Sequence, residues 1–123
     1  MGDDRPTESP GESVLDTIGD AEARMVLAAL NNGATSARDL IESLDMSRAT
    51  VYRRLDLLEE HGLIEAVMAV DKHGDHHRVY RCTFEAAVVF LREAEYDVQV
   101  VSEEDLPSRF ADLWAELGGT SSP

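Results

Sequence analysis

The sequence predicts a small α+β fold, three helices followed by β-hairpins, and three observations predict it. Apolar residues recur at helical spacing through residues 20–61, the period changes to two after Gly62, and Asp or Ser stands where each helix would begin. A chain of 123 residues, 43% hydrophobic, carries one domain with a real core and not two.

Residues 1–12 form a Pro/Gly/acidic stretch without periodicity, which reads as a disordered tail. Val14, Leu15 and Ile18 suggest a short helical turn packed back on the domain. Asp20 then caps a helix running to about Asn31, with Gly33 as the C-terminal stop and Ala23, Val26, Leu27 and Leu30 as its apolar stripe. Ser36-Ala37-Arg38-Asp39 resembles a capping box with Asp in place of Glu. Ala37, Leu40, Ile41 and Leu44 follow on one buried face. Asp45-Met46 makes a turn, and Ser47 caps a third helix from about Arg48 to His61, stopped by Gly62.

In the third helix Val51, Leu55 and Leu58 fall on one side at 100° per residue. Ala49, Arg53 and Asp56 project opposite, with Thr50 and Tyr52 on the flanks. Beyond Gly62, residues 63–70 read as a strand and residues 78–83 as its return, around a polar loop over residues 71–77 with Gly74 near its centre. In residues 84–102 the run from Ala86 to Leu91 can continue as a helix. The alternation of Tyr96, Val98 and Val100, with β-formers at Val88-Val89-Phe90, favours instead a second hairpin turning near Glu93–Glu95. A last helix is expected near residues 107–117, with Pro107 tolerated at its start and Leu106, Phe110, Leu113, Trp114 and Leu117 as its stripe. Residues 118–123 read as a frayed tail.

Three short helices with a tight second-to-third turn and a charged-tipped hairpin after them make a winged helix-turn-helix. The domain is expected over residues 13–83 and a C-terminal extension over 84–117. Charge bears on what such a domain binds. The chain carries 25 acidic and 11 basic residues, a net −14, whereas a DNA-binding domain is expected to be basic. Position offsets the sum: seven acidic residues lie in the first 23 positions and nine from Glu85 onward, while Met46 to Leu58 holds Arg48, Arg53 and Arg54 against Asp56 alone. Lys72 is the single lysine beside ten arginines. A folded, acidic, lysine-poor chain fits a cytoplasm of molar salt, where screening weakens carboxylate repulsion.

The runs Ala34-Thr35-Ser36-Ala37-Arg38-Asp39-Leu40, Met46-Ser47-Arg48-Ala49-Thr50-Val51-Tyr52-Arg53-Arg54-Leu55 and Leu58-Glu59-Glu60-His61-Gly62-Leu63-Ile64 resemble the ArsR-like winged helix regulators, especially those of halophilic archaea. The resemblance is firm over residues 20–83 and looser beyond. It implies transcriptional control through double-stranded DNA, usually by a dimer whose contact the C-terminal extension builds.

The expected interface follows from groove chemistry. Ser47 and the first amides of the third helix can hold a phosphate. Arg53 is the candidate for a bidentate guanine contact. Thr50 and Tyr52 can touch base edges, a thymine methyl or phosphate, beside the small Ala49. Arg48, Arg54 and Arg38, with Ser36, are expected on the backbone, and Lys72, His73, His76, His77 and Arg78 bring the wing to flanking DNA. Leu106, Phe110, Leu113, Trp114 and Leu117 either close the monomer's core or form a homodimer seam, and their place after an acidic connector favours the seam.

Asp71, His73, Asp75, His76 and His77 crowd the wing tip, but neighbouring residues of a strand point to opposite faces, poor geometry for sharing one ion. Cys82 is the only cysteine, which excludes a disulfide within the chain and a Cys-rich zinc module. No metal or other cofactor is expected; a small-molecule or metal effector is not legible. No nucleophile with an adjacent base, no phosphate-cradling glycine loop and no zinc-hydrolase motif points to an enzyme. The N-terminus does not read as a signal peptide and no apolar run approaches a membrane span, so a cytoplasmic protein with no membrane partner is expected. The rival to a DNA-binding regulator is a winged helix serving as a protein-interaction module of the transcription machinery, which the acidity favours and the arginines oppose.

Overall fold

The computed structural model describes residues 10–102 together with Asp105, Ala111, Asp112, Trp114 and Ala115. Four helices come first: α1 (Pro10–Gly19), α2 (Ala21–Asn31), α3 (Ala37–Leu44) and α4 (Arg48–Glu60). Two antiparallel hairpins follow, β1 (Ile64–Val70) with β2 (His76–Cys82), and β3 (Ala86–Arg92) with β4 (Glu95–Val101). This α+β arrangement is the winged helix fold, with β1–β2 as the wing.

Helices α2, α3 and α4 each start where a side chain takes over an otherwise unpaired amide. Asp20 accepts from the Ala23 N–H at 2.8 Å, Ser36 from Asp39 N–H at 3.1 Å, and Ser47 from Thr50 N–H at 3.1 Å. Asp45 turns the chain between α3 and α4 in the left-handed region, φ 55°, which a short polar side chain tolerates better than most. At the far end of α4, Gly62 has φ 73°. Its N–H bonds the Glu59 carbonyl and the Leu63 N–H bonds that of Leu58, both at 3.0 Å. That pair of bonds is the Schellman ending, and it turns the chain straight into β1.

Ala23, Val26, Leu27 and Leu30 of α2 meet Ala37 and Leu40 of α3, Val51, Leu55 and Leu58 of α4, and Leu63, Ile64 and Tyr80 of the wing root in one buried cluster. The wing is tied in by backbone as well. Thr35 and Tyr80 exchange two hydrogen bonds, of 3.0 and 2.8 Å, so the residue before α3 acts as a one-residue third strand beside β2.

Two boundaries differ from expectation. The first helix is not a single turn: it begins at Pro10, inside the stretch read as tail, and runs ten residues. Proline suits a first helical turn. Thr17 is buried and its hydroxyl donates to the Ser13 carbonyl at 3.0 Å, while α1 packs on β4 and α2. The wing loop is shorter than expected, because β2 begins at His76 and only residues 71–75 connect the strands. Residues 86–101 are the second hairpin that the alternation favours, turning through Glu93 and Ala94 as expected. Of the expected C-terminal helix, Ala111, Asp112, Trp114 and Ala115 are helical; Leu106, Phe110, Leu113 and Leu117 lie outside the described residues, as do residues 1–9 and 118–123.

Candidate nucleic-acid interface

The register of the wing sets the site. Ala66 faces Tyr80, Met68 faces Arg78, and Val70 faces His76, so these six share one face of the hairpin. Near the root that face is core, with Tyr80 buried. Farther out it passes the N-terminus of α3 and the flank of α4. There Ser36, Ala37, Arg38, Tyr52, Arg78 and Tyr80 line a crevice of about 350 Å³. Four of the side chains expected on DNA, from three separate elements, thus converge on one opening.

The Tyr80 phenol beside Arg78 raises the guanidinium pKa above its ordinary value, and the neighbouring Glu59 and Tyr52 add to the effect. Its charge is permanent. Arg48 lies over the Tyr52 ring, 5.0 Å from its centroid, which sets a second cation on the same flank. Arg38 stands at the start of α3, 3.6 Å from Glu42, with both side chains largely in solvent. A pair so exposed contributes little and can open toward a phosphate.

Along α4, Ala49, Arg53 and Asp56 are exposed opposite the buried Val51, Leu55 and Leu58. Arg53 also borders a crevice shared with Asp16, Glu60 and His61. Ser47 spends its hydroxyl within the helix cap, accepting from the Thr50 N–H and donating to Thr50 Oγ1 at 2.9 Å. What remains there for an anion is the helix end itself.

Arg54 corrects the expectation. Its guanidinium donates to Asp20 at 2.7 Å and to Glu22 at 2.9 Å, and only 12% of its side chain is exposed. It ties α4 to the start of α2 and does not face outward. At 100° per residue Arg53 and Arg54 diverge enough that one is solvent-facing and the other is claimed by two carboxylates more than thirty positions earlier.

Lys72 and His73 are exposed at the wing tip, where Asp71 Oδ1 accepts from the His73 and Asp75 amides at 2.8 and 2.9 Å. Gly74, at φ 86°, completes the turn. His76 and His77 belong to β2 and face opposite sides of the sheet. Among the described residues no group of three or more His, Cys, Asp or Glu is placed to hold a metal ion, and no helix is long and apolar enough to cross a membrane. Trp114 is half exposed. The sequence reading missed Met68 and Val70, which are exposed beside Arg78 and His76; their signal was the alternation of β1 itself. It also missed Asp20 and Glu22 as partners of Arg54, for which no local pattern exists.

Among solved structures, an ArsR-like transcriptional regulator from Rhodococcus sp. RHA1 is similar, at 20% identity and a TM-score of 0.56 over 89% of this chain and 80% of that one. At that identity the likeness is one of fold. The ferric uptake regulator of Vibrio cholerae matches at 17% identity over 92% of this chain and 81% of its own, with a TM-score of 0.31, too low to carry an argument. No curated protein matches. A family model is the more direct finding, because it spans residues 12–97, from α1 through the wing and into β4. By that match the chain belongs to the family described as the HVO_A0261 N-terminal domain.

Proposed function

We propose that the protein is a transcriptional regulator that binds double-stranded DNA as a homodimer, with α4 in the major groove and the β1–β2 wing on flanking DNA. The observation that carries this is the convergence of Ser36, Arg38, Tyr52 and Arg78 on one opening, with Arg48 over the Tyr52 ring beside it and Arg53 exposed on the same helix. Cations from two helices and a strand on one face suit a duplex, whose phosphates line both sides of the groove.

In this reading Arg53 contacts guanine, Thr50, Tyr52 and Ala49 lie against base edges, and Arg48, Arg38, Ser36 and Arg78 hold phosphates. Lys72, His73, His76 and His77 extend the contact along the wing, and Ser47 marks the helix end where a phosphate sits. Arg54 is withdrawn from the interface. The C-terminal extension over residues 84–117 builds the dimer contact, and the stripe of Leu106, Phe110, Leu113, Trp114 and Leu117 is what the sequence offers for it. The setting is a cytoplasm of high salt, as in haloarchaea, and the protein is no enzyme.

Selection from a genomic DNA library in molar potassium chloride tests the proposal. The wild-type protein is expected to enrich a short, nearly palindromic motif with half-sites about 34 Å apart. Arg53→Ala is expected to lose about 1–3 kcal/mol of affinity and to relax preference at one position. Absence of enrichment at any salt would favour the interaction-module reading, which the net charge of −14 supports, and partner capture would then follow.

A further inference from the structure

In the β3–β4 hairpin Ala87 pairs with Val100, Val89 with Val98, and Leu91 with Tyr96. Residues directly opposite in an antiparallel pair share a face, so this face carries six apolar side chains and no charge. Its root joins the domain core, where Val100 and Ile18 pack on the buried cluster. Its outer half does not: Val89 is 47% exposed, Leu91 61% and Tyr96 43%. The other face holds the buried Phe90 and Val101 with Val88 packed on them, and turns charged toward its tip, where Asp97 lies opposite Phe90 and Arg92 opposite Glu95.

We propose that the outer half of this face is the seam against a second copy of the chain, an inference that rests on the homodimer reading and names its interface. The three exposed side chains open on the order of 300 Å² of apolar surface, comparable to the largest patch on a typical monomer, which is often functional. A stable dimer takes about 800 Å² from each copy, roughly 60% of it apolar. Val89, Leu91 and Tyr96 supply most of that apolar share, and the half-buried Ala87 and Val98 extend it. Among the described residues the exposure of Val89, Leu91 and Tyr96 marks the outer half of the face as uncovered. An uncharged face on a chain of net charge −14 offers nothing to a cationic partner. Twofold stacking sets it against an equally uncharged surface and keeps the carboxylates at the rim.

The test is mass in solution, by light scattering in molar potassium chloride at micromolar concentration. It compares the wild type with Leu91→Glu and with Met68→Glu, the latter an equally exposed apolar position on the wing. The expected result is a dimeric wild type, a dimeric Met68→Glu, and a folded Leu91→Glu whose dimer dissociation constant rises at least about a hundred-fold, since each copy buries an unpaired carboxylate. Should the glutamate unfold the hairpin, Leu91→Ser gives the same readout without a charge. A dimeric Leu91 variant overturns the seam and returns the homodimer to the C-terminal stripe. Loss of the dimer in both Leu91→Glu and Met68→Glu overturns the seam as well. A monomeric wild type removes the seam and the homodimer together.

Discussion

Asp20 serves two helices from one carboxylate. It caps α2 through the Ala23 N–H and grips Arg54 of α4. The Ala23 amide, and then the Arg54 hydrogen bond, hold its pKa below the ordinary value of 3.8. A carboxylate depressed in the folded state contributes stability above its unfolded pKa, and that contribution fades as pH falls through the folded one. Wild-type melting temperature is therefore expected to drop in the acid range below 3.8, and Asp20→Asn to flatten that drop while being less stable at neutral pH. Asp20→Ala, which also loses the cap, is expected to cost about 1–2 kcal/mol. Melting curves of the three proteins from neutral to acid pH decide it, and an acid limb unchanged in Asp20→Asn would exclude Asp20 as a contributor. The cap was legible in the sequence, since Asp before an apolar periodic run is a helix start. The ion pair was not, because Arg53 and Arg54 differ only in what the fold brings beside them.

Among the elements, the β3–β4 hairpin carries an identifiable strain. Its two turn residues, Glu93 and Ala94, have φ of 53° and 67°, the signature of a two-residue turn that favours Asn-Gly. Left-handed backbone costs an ordinary L-residue roughly 1–2 kcal/mol. Replacing both, Glu93→Asn with Ala94→Gly, is expected to raise unfolding free energy by about 1 kcal/mol, read as a melting temperature several degrees higher. An unchanged or lower melting temperature would mean that the turn is not strained. The same chemistry explains why this segment was hard to read. The alternation of Tyr96, Val98 and Val100 pointed to strands, but Glu-Ala is no turn signal, and Ala86 to Leu91 fits a helix equally well. For α1 the obstacle was similar: composition marked residues 1–12 as tail, and the partner that steadies the helix, β4, lies far along the chain. The helix-turn-helix and the wing were plain because each boundary carries its own cap or glycine, at Asp20, Ser36, Ser47, Gly62 and Gly74.

At the scale of the whole molecule, the net charge of −14 sets the terms on which stability and binding respond to salt. The screening length is about 10 Å at 0.1 M and about 3 Å at 1 M, so carboxylates that repel across the surface in dilute buffer cease to do so in molar salt. The thermal midpoint is expected to rise steadily from dilute to molar potassium chloride; a flat or falling midpoint would count against the high-salt setting. DNA affinity is expected to fall less steeply with salt than the number of interface cations implies, because Asp56 on α4 and Asp75 at the wing tip can retain cations between the two polyanions. Binding isotherms across a salt series test this, with Asp56→Asn expected to steepen the slope and an unchanged slope excluding Asp56 as a cation holder.

The Thr35–Tyr80 bridge has a consequence for any duplex the protein reads. Through it, the lead-in to α3 and the wing strand move as one piece, while Arg54 locks α4 to α2. Helix and wing are the two jaws of a gauge with no sliding part between them. The distance from the groove that α4 would fill to the backbone that the wing would touch is then a constant of the fold. Tolerance for a gained or lost base pair must lie elsewhere, and in the proposed homodimer it would fall to the junction between the two copies.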